Sequence, residues 1–392
     1  MPWTKKIYRF LRYTAFFILL SALFFELGCF VATKLNLFLV NDTPTLYKKN
    51  NDFPDIVYGR TEKEIWGAWH KSNSSYRHSK SCFNVIMEFN EIGARDEAFS
   101  NVNNKSIILL GDSFAEGFGV EKSKSSEYLL EESLKIPILN FGASGNFGPL
   151  QEYLIYKQFK DLPHKGIIIY MLPENDFMEN DSKVWKDIDE TRYRPYFSKG
   201  PDPLVPYYFE NAVRRDNFLS HKAGKEKQFL KDYFWFSNAF RTVARIQRAT
   251  THQKTGKVNN KVTSYFYDAP LYQQKNLIMA YEGIINIAGS RNILIVIIPD
   301  QNDIKRFSSE GDPFSYKKQF WYTSLLSMTT SNKQMVSILN LIDYLPSDTD
   351  ALFFRCDGHW SESGNEWAAS TISDHITKTG IFKNLIQDTN SN

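Results

Sequence analysis

The chain has 392 residues, 42% of them hydrophobic and 23% charged, with 47 Lys+Arg against 44 Asp+Glu and a formal charge of +3. Such a chain can bury one large core or two smaller ones, which excludes a mini-protein and a disordered polymer, and its balanced charge excludes the basic footprint of nucleic-acid binding. Aromatic residues reach 15%, a content that fits either a packed aromatic core or surfaces that meet membrane or sugar.

The first element is apolar. From Tyr13 to Thr33 the sequence is interrupted by one acid, Glu26, and its length suits a helix crossing a bilayer. Lys5, Lys6, Arg9 and Arg12 precede it, so the positive-inside rule predicts a cytoplasmic N-terminus at 1–12, a single-pass anchor at 13–33 and an extracytoplasmic body, periplasmic in a Gram-negative cell. A cleaved signal peptide and a lipoprotein signal ending at Cys29 are the competing readings. Glu26 occupies the place where a lipoprotein signal has an aliphatic residue, and no small-x-small cleavage site stands near Gly28 to Ala32, so the retained anchor is preferred. The three cysteines, Cys29, Cys82 and Cys356, lack CxxC spacing, which excludes a zinc ribbon, a thioredoxin motif and a disulfide framework. One bridge, Cys82 to Cys356, is open to the chain in an oxidising compartment.

Residues 34–85 are polar over most of their length and read as a connector, in which Trp66, Trp69, His70 and His78 are expected to pack on or near the domain rather than bind metal. From 86 to 385 the sequence reads as one α/β domain, followed by a tail at 386–392. Short apolar runs at 106–110, 136–142, 166–172 and 293–299 predict buried strands, and helical spacing at 125–134, 149–159 and 277–288 alternates with them. This predicts a three-layer α/β/α sandwich with a mostly parallel sheet. Residues about 178–270, with a basic run at 214–227 and the aromatic run Tyr233 to Phe236, interrupt the rhythm. An insertion after a strand's carboxyl end is expected to cap the site, with a packing-only helical subdomain as the alternative.

Chemistry concentrates in four blocks. Gly111-Asp112-Ser113-Phe114 follows the first strand directly, which sets Ser113 on a strand-to-helix turn where an exposed nucleophile belongs. Gly-Asp-Ser is also ordinary turn chemistry, so companions are needed. A serine hydroxyl needs an imidazole to take its proton and a carboxylate to orient the imidazole, and Asp357 and His359 supply both in one loop, between a strand-like run at 351–354 and a helix beginning near 361–366. Among the seven histidines only His359 has an acid two positions earlier and follows an apolar run; His164, His221, His252 and His375 lack such company. Gly145, in the Gly-rich turn 140–148, can bring a backbone N–H to an oxyanion, and Asn175, in 173–177, can offer a side-chain amide.

Order and spacing of these blocks resemble the SGNH, or GDSL-like, hydrolases over about residues 90–380. The resemblance implies Ser113 as nucleophile, Asp357 and His359 completing a catalytic triad, and an oxyanion hole made by Ser113, Gly145 and Asn175. The segment Asn90 to Phe99 resembles a lead-in of membrane-anchored bacterial relatives. Pro173 stands where the family usually has a glycine, leaving Asn146 as a second candidate amide. The D-x-H-W form of 357–360 is similar to alginate O-acetylation proteins. The implied activity is an esterase or acyl hydrolase on O-acylated carbohydrate of the cell envelope, or an O-acetyltransferase of an exported polysaccharide with the same triad, with no metal or organic cofactor. A catalytically silent carbohydrate-binding or assembly protein on this fold is the reading from a different class.

Overall fold

The computed structural model describes residues 2–35, 56–58, 65–80, 82–99, 102, 104–145, 147–190, 192–210, 212, 230, 233–240, 243, 264–309, 311–331 and 335–387. The basic run 214–227, the candidate amide Asn146, and His221 and His252 lie outside the described residues. Helix α1 spans Pro2–Lys34. Its stretch Lys5–Ala32 is long and apolar enough to cross a membrane, and Phe16, Phe17, Ile18 and Leu19 along it are exposed.

Strands β1 (Ile56–Tyr58) and β2 (Ala68–His70) pair antiparallel, as do β3 (Ser74–Ser79) and β4 (Asn84–Phe89). Part of the stretch expected to be a connector, residues 65–80 and 82–85, is therefore folded onto the domain, with Trp66 and Trp69 buried in the main core. The cause is the aromatic content of an otherwise polar stretch: two indoles and Phe83 bury far more area than the surrounding Ser and Lys can offset.

The main sheet has five strands in the order β6-β5-β7-β8-β9, with β5 at Ile107–Leu110, β6 at Ile138–Asn140, β7 at Gly166–Met171, β8 at Asn292–Ile297 and β9 at Val336–Asn340. Every neighbouring pair is parallel. All positions of β5 and β7 are buried, as parallel strands covered on both faces must be. Alternate residues feed two cores. Ile108, Leu110, Ile167, Ile169, Ile293 and Ile295 pack with α4 (Pro149–Phe159) and the helices Leu271–Ala288 and Phe320–Ser331. Ile107, Leu109, Ile168, Leu294 and Val296 pack on the other side with α3 (Ser126–Leu134) and the helix Glu362–Thr379. The protein is a three-layer α/β/α domain.

The strand-like run expected at 351–354 is not a strand. It begins in a 3-10 turn, Asp350–Leu352, and makes one isolated bridge, Phe353 with Trp360. The fifth strand is instead β9, which the sequence reading did not assign. This sheet-edge segment has two half-buried positions, and its mixed residues Val-Ser-Ile-Leu-Asn lack the continuous apolar signature of its neighbours. The insertion has two parts with different partners. Helix α6 (Ser182–Asp189) and the bridge Tyr196 with Tyr207 lie in the first. The second, helical over 235–240, packs on α1: Trp235 meets Phe30 and Phe236 meets Phe25, and Glu26 accepts hydrogen bonds from the backbone N–H groups of Trp235 and Phe236.

Candidate active site

The connections from β5 to β6 and from β6 to β7 place these strands on opposite sides of β5. A reversal of this kind opens a crevice at the carboxyl ends of the strands, where ligands of open α/β sheets bind. Ser113 sits there, as the first residue of the short helix α2 (Ser113–Glu116), with Asp112 as its N-cap accepting from Phe114 N at 2.9 Å. Its position follows from sequence: an apolar strand ends, Gly111 lets the chain turn, and Asp112 nucleates the helix that presents the hydroxyl.

Ser113 Oγ lies 2.7 Å from His359 Nε2. On the far side of the ring, His359 Nδ1 is hydrogen-bonded to Asp357 Oδ1, which also accepts from His359 N at 3.1 Å. The structure therefore brings Ser113, His359 and Asp357 into one hydrogen-bonded line across 246 positions of sequence. The His359 ring stacks on Phe118 with centroids 4.1 Å apart. Burial by itself would raise the Asp357 carboxyl, but the hydrogen bond and charge of His359, with a further contribution from Lys80, hold it well below the usual carboxylate range. The loop that carries both residues is closed by Phe354 N donating to His359 O at 2.9 Å. It leads into the helix Glu362–Thr379, where Ser361 Oγ caps Gly364 N at 3.2 Å.

Gly145 lies beside the serine with φ +98°, a backbone region that penalises any side chain. Its carbonyl accepts from Arg192 and from Arg194 Nη2, residues of the insertion's first part. Both guanidinium groups lie over the Trp185 ring. Asn175 Nδ2 donates to Asp112 Oδ2 at 2.5 Å. An amide nitrogen carries two hydrogens, so this bond fixes the amide and leaves one N–H for the cavity that Asn175 lines. Asp112 is fully buried, and burial pushes its carboxyl up to about 6 against hydrogen bonds that pull it down.

These residues line a cavity of about 250 Å3, with Phe114, Phe118 and Leu172 forming its apolar wall and Glu174 and Asp300 facing it from two further strand ends. Burial first, and then hydrogen bonding and charge from Asp300, push Glu174 up to about 8. Near neutral pH Glu174 therefore keeps its proton and can donate a hydrogen bond to a hydroxyl in the cavity.

Several supporting residues escaped the sequence reading. His70 pairs with Glu116, whose other oxygen accepts from Ser144 N at 3.1 Å, so β2, α2 and the glycine block are tied together. Arg95, in the segment Asn90 to Phe99, donates to the carbonyls of Glu116, Gly117 and Val120 and so shapes the turn after Ser113. Lys80 is bonded to Asp357 Oδ2. Cys82 is disulfide-bonded to Cys356, and that pairing, placing 80–83 beside 357, is the one signal that pointed to Lys80. His375 and His164 are engaged elsewhere, with Ser337 and Tyr156.

No family model and no curated protein sequence matches this chain. Its solved neighbours include a lipolytic protein and an acyltransferase. The first, assigned to the G-D-S-L family and from Desulfitobacterium hafniense, is 11% identical over 69% of this chain and 98% of its own, with a TM-score of 0.35. The second, a salicylyl-acyltransferase from a tetracycline biosynthetic pathway, is 13% identical over 72% of this chain and 57% of its own, with a TM-score of 0.37.

Proposed function

We propose that this chain is a membrane-anchored serine esterase that removes short acyl groups from hydroxylated carriers such as envelope carbohydrate, or passes them to a sugar hydroxyl. The observation that carries the reading is the line from Ser113 through His359 to Asp357 at the crevice of the sheet. His359 Nε2 takes the Ser113 proton as Oγ attacks the ester carbonyl carbon, and the carbonyl π electrons move onto oxygen. The N–H groups of Ser113 and Gly145 and the Asn175 amide stabilise that oxyanion, each worth about 3 kcal/mol in the transition state. Collapse expels the alcohol, which receives the proton from His359, and leaves an acyl-serine. Water, or a sugar hydroxyl activated by the same imidazole, then attacks the acyl carbon and frees Ser113. Asp357 stays ionised and holds the ring's tautomer.

A cavity of about 250 Å3 suits an acetyl-sized acyl group, and Glu174, raised to about 8 by burial and by its neighbour Asp300, suits a carrier bearing hydroxyls. An extracytoplasmic body is supported by the basic residues Lys5, Lys6, Arg9 and Arg12 at the start of α1 and by the Cys82–Cys356 disulfide, since such bonds persist in oxidising compartments. The test is hydrolysis of p-nitrophenyl acetate by the full chain in detergent, with a fluorophosphonate as active-site label. Ser113→Ala is expected to abolish turnover and labelling while leaving thermal unfolding nearly unchanged. A folded wild type that neither turns over nor labels would refute the esterase and favour a silent carbohydrate-binding protein.

A further inference from the structure

In a Ser-His-Asp arrangement the second carboxylate oxygen needs its own partner when it is buried, because an unmatched buried charge is costly and rotates to find donors. The Asp357 side chain is only 7% exposed. Its Oδ1 is occupied by the ring and backbone of His359. Its Oδ2 receives the ammonium of Lys80, which comes from 277 positions earlier in the chain.

The construction around Lys80 fixes it there. Lys80 follows β3, and its backbone N–H donates to Phe83 O at 3.0 Å, closing the turn into β4. Cys82, inside that turn, is bonded to Cys356, the residue immediately before Asp357. Phe83 packs on Phe354 at 5.1 Å and on Phe118 at 5.8 Å. The Lys80 ammonium lies 5.3 Å from the centre of the Phe118 ring, the same ring on which His359 stacks. A covalent strap and an aromatic wall thus bring the β3–β4 hairpin to the His359 loop and confine the lysine.

We propose that Lys80 is a positioning residue for the Ser113–His359–Asp357 line, and that the Cys82–Cys356 disulfide is the strap that delivers it. The proposal rests on the serine-esterase reading above. Lys80 acts in two ways. It pins the Asp357 carboxylate in the rotamer that faces the imidazole. It also neutralises part of the carboxylate's field, so that losing the lysine leaves the imidazole facing an unopposed aspartate. Other titratable groups near His359 include Asp112 behind Ser113 and Glu174 and Asp300 across the cavity. All three are acids, and Lys80 is the cation bonded directly to Asp357.

The test compares Lys80→Met, Lys80→Arg and the double variant Cys82→Ala with Cys356→Ala in the full chain in detergent. It reads kcat and KM for p-nitrophenyl acetate from about pH 5 to about pH 9, with folding followed by thermal unfolding and Ser113→Ala as control. Lys80→Met is expected to lower kcat about 10-fold to 100-fold with KM changed less than about 2-fold, and to move the acid limb of kcat upward by about half a unit to one unit. Lys80→Arg restores most of both. The double cysteine variant moves the limb in the same direction, and adding Lys80→Met to it costs little more, because both act through one contact. A Lys80→Met enzyme with the wild-type kcat and acid limb, while Ser113→Ala is inert, overturns the role of Lys80 and leaves the esterase standing. A strap variant and a lysine variant whose losses add in full overturn the delivery role of the disulfide. Turnover that survives in Ser113→Ala overturns the esterase reading and this proposal with it.

Discussion

Replacing Asp112 by Asn tests how the Asn175 amide, the proposed oxyanion donor, is held. A carboxylate can only accept, so in the native site the Asn175 amide has one orientation, Nδ2 toward Asp112 Oδ2 at 2.5 Å. With Asn at 112, Oδ1 can still accept from Phe114 N, but the new Nδ2 points at the Asn175 Nδ2. Two donors repel, so the Asn175 amide turns its oxygen toward position 112 and presents a lone pair where the oxyanion forms. Loss of one donor in an oxyanion hole costs about 3 kcal/mol, so kcat is expected to fall at least about 100-fold.

Stability should move the other way. Asp112 is displaced by burial from 3.8 to about 6, so between these values the folded state binds more proton than the unfolded one. Wild-type stability therefore falls as pH rises through that window, by about 3 kcal/mol in all. Asp112→Asn removes this slope and gains on the wild type from about pH 4 to about pH 6, then keeps a constant advantage above it. The assay is chemical denaturation across that range beside kcat at neutral pH. A variant with native kcat would refute the orienting role of Asp112. A stability difference independent of pH would refute the burial of an ionised Asp112.

Two further outcomes are expected elsewhere in the chain. A Cβ on Gly142 would stand 2.4 Å from Glu116 N and 2.6 Å from Ala115 C, both backbone. Gly142→Ala should therefore cost about 3 kcal/mol and lower Tm by roughly 5 °C, and an unchanged melting curve would show that the two turns separate freely. Glu26→Ala removes the acceptor of the Trp235 and Phe236 N–H groups and should loosen the segment 235–240 from α1. Cys29 packs against Trp235 and Ala239, so oxidative cross-linking of Cys29 to Ala239→Cys should be efficient in the parent chain and several-fold weaker with Glu26→Ala. Equal cross-linking in both would show that the carboxylate does not hold the contact.

The parts of this fold that were legible in the sequence are those with local signatures. Buried parallel strands such as Gly166–Met171 announce themselves as unbroken apolar runs, and the turns carrying Ser113, Gly145, Asn175 and His359, each ordinary in composition, stand out by their order along the chain after those strands. The edge strand Val336–Asn340 was illegible because half-burial dilutes its pattern. Arg95, Glu116, Arg192 and Lys80 were illegible for a different reason. Each is a charged residue in a polar stretch, and its burial is created by elements far away in sequence. Glu26 was visible as an anomaly in an apolar helix, yet its partners, two backbone N–H groups over 200 positions away, leave no mark in composition. The insertion was expected either to cap the site or to form a packing-only helical subdomain; among its described residues, Arg192 and Arg194 reach Gly145 and the segment 235–240 lies on α1.

The strap between Cys82 and Cys356 spans 274 positions, and this bears on the order of events as the protein is made. On the esterase reading the nucleophile emerges early and its base late, and the bond that fastens the β3–β4 hairpin to the His359 loop can close only after β9 and the turn beyond it have been synthesised. A partly translated chain holds Ser113 without an imidazole, an aspartate or the lysine's partner, and is chemically inert. Oxidation of Cys82 by any earlier partner would have to be undone before the domain could mature. On that reading, activity arrives in one late step, after the sheet is complete, and an unfinished chain cannot act on nearby esters.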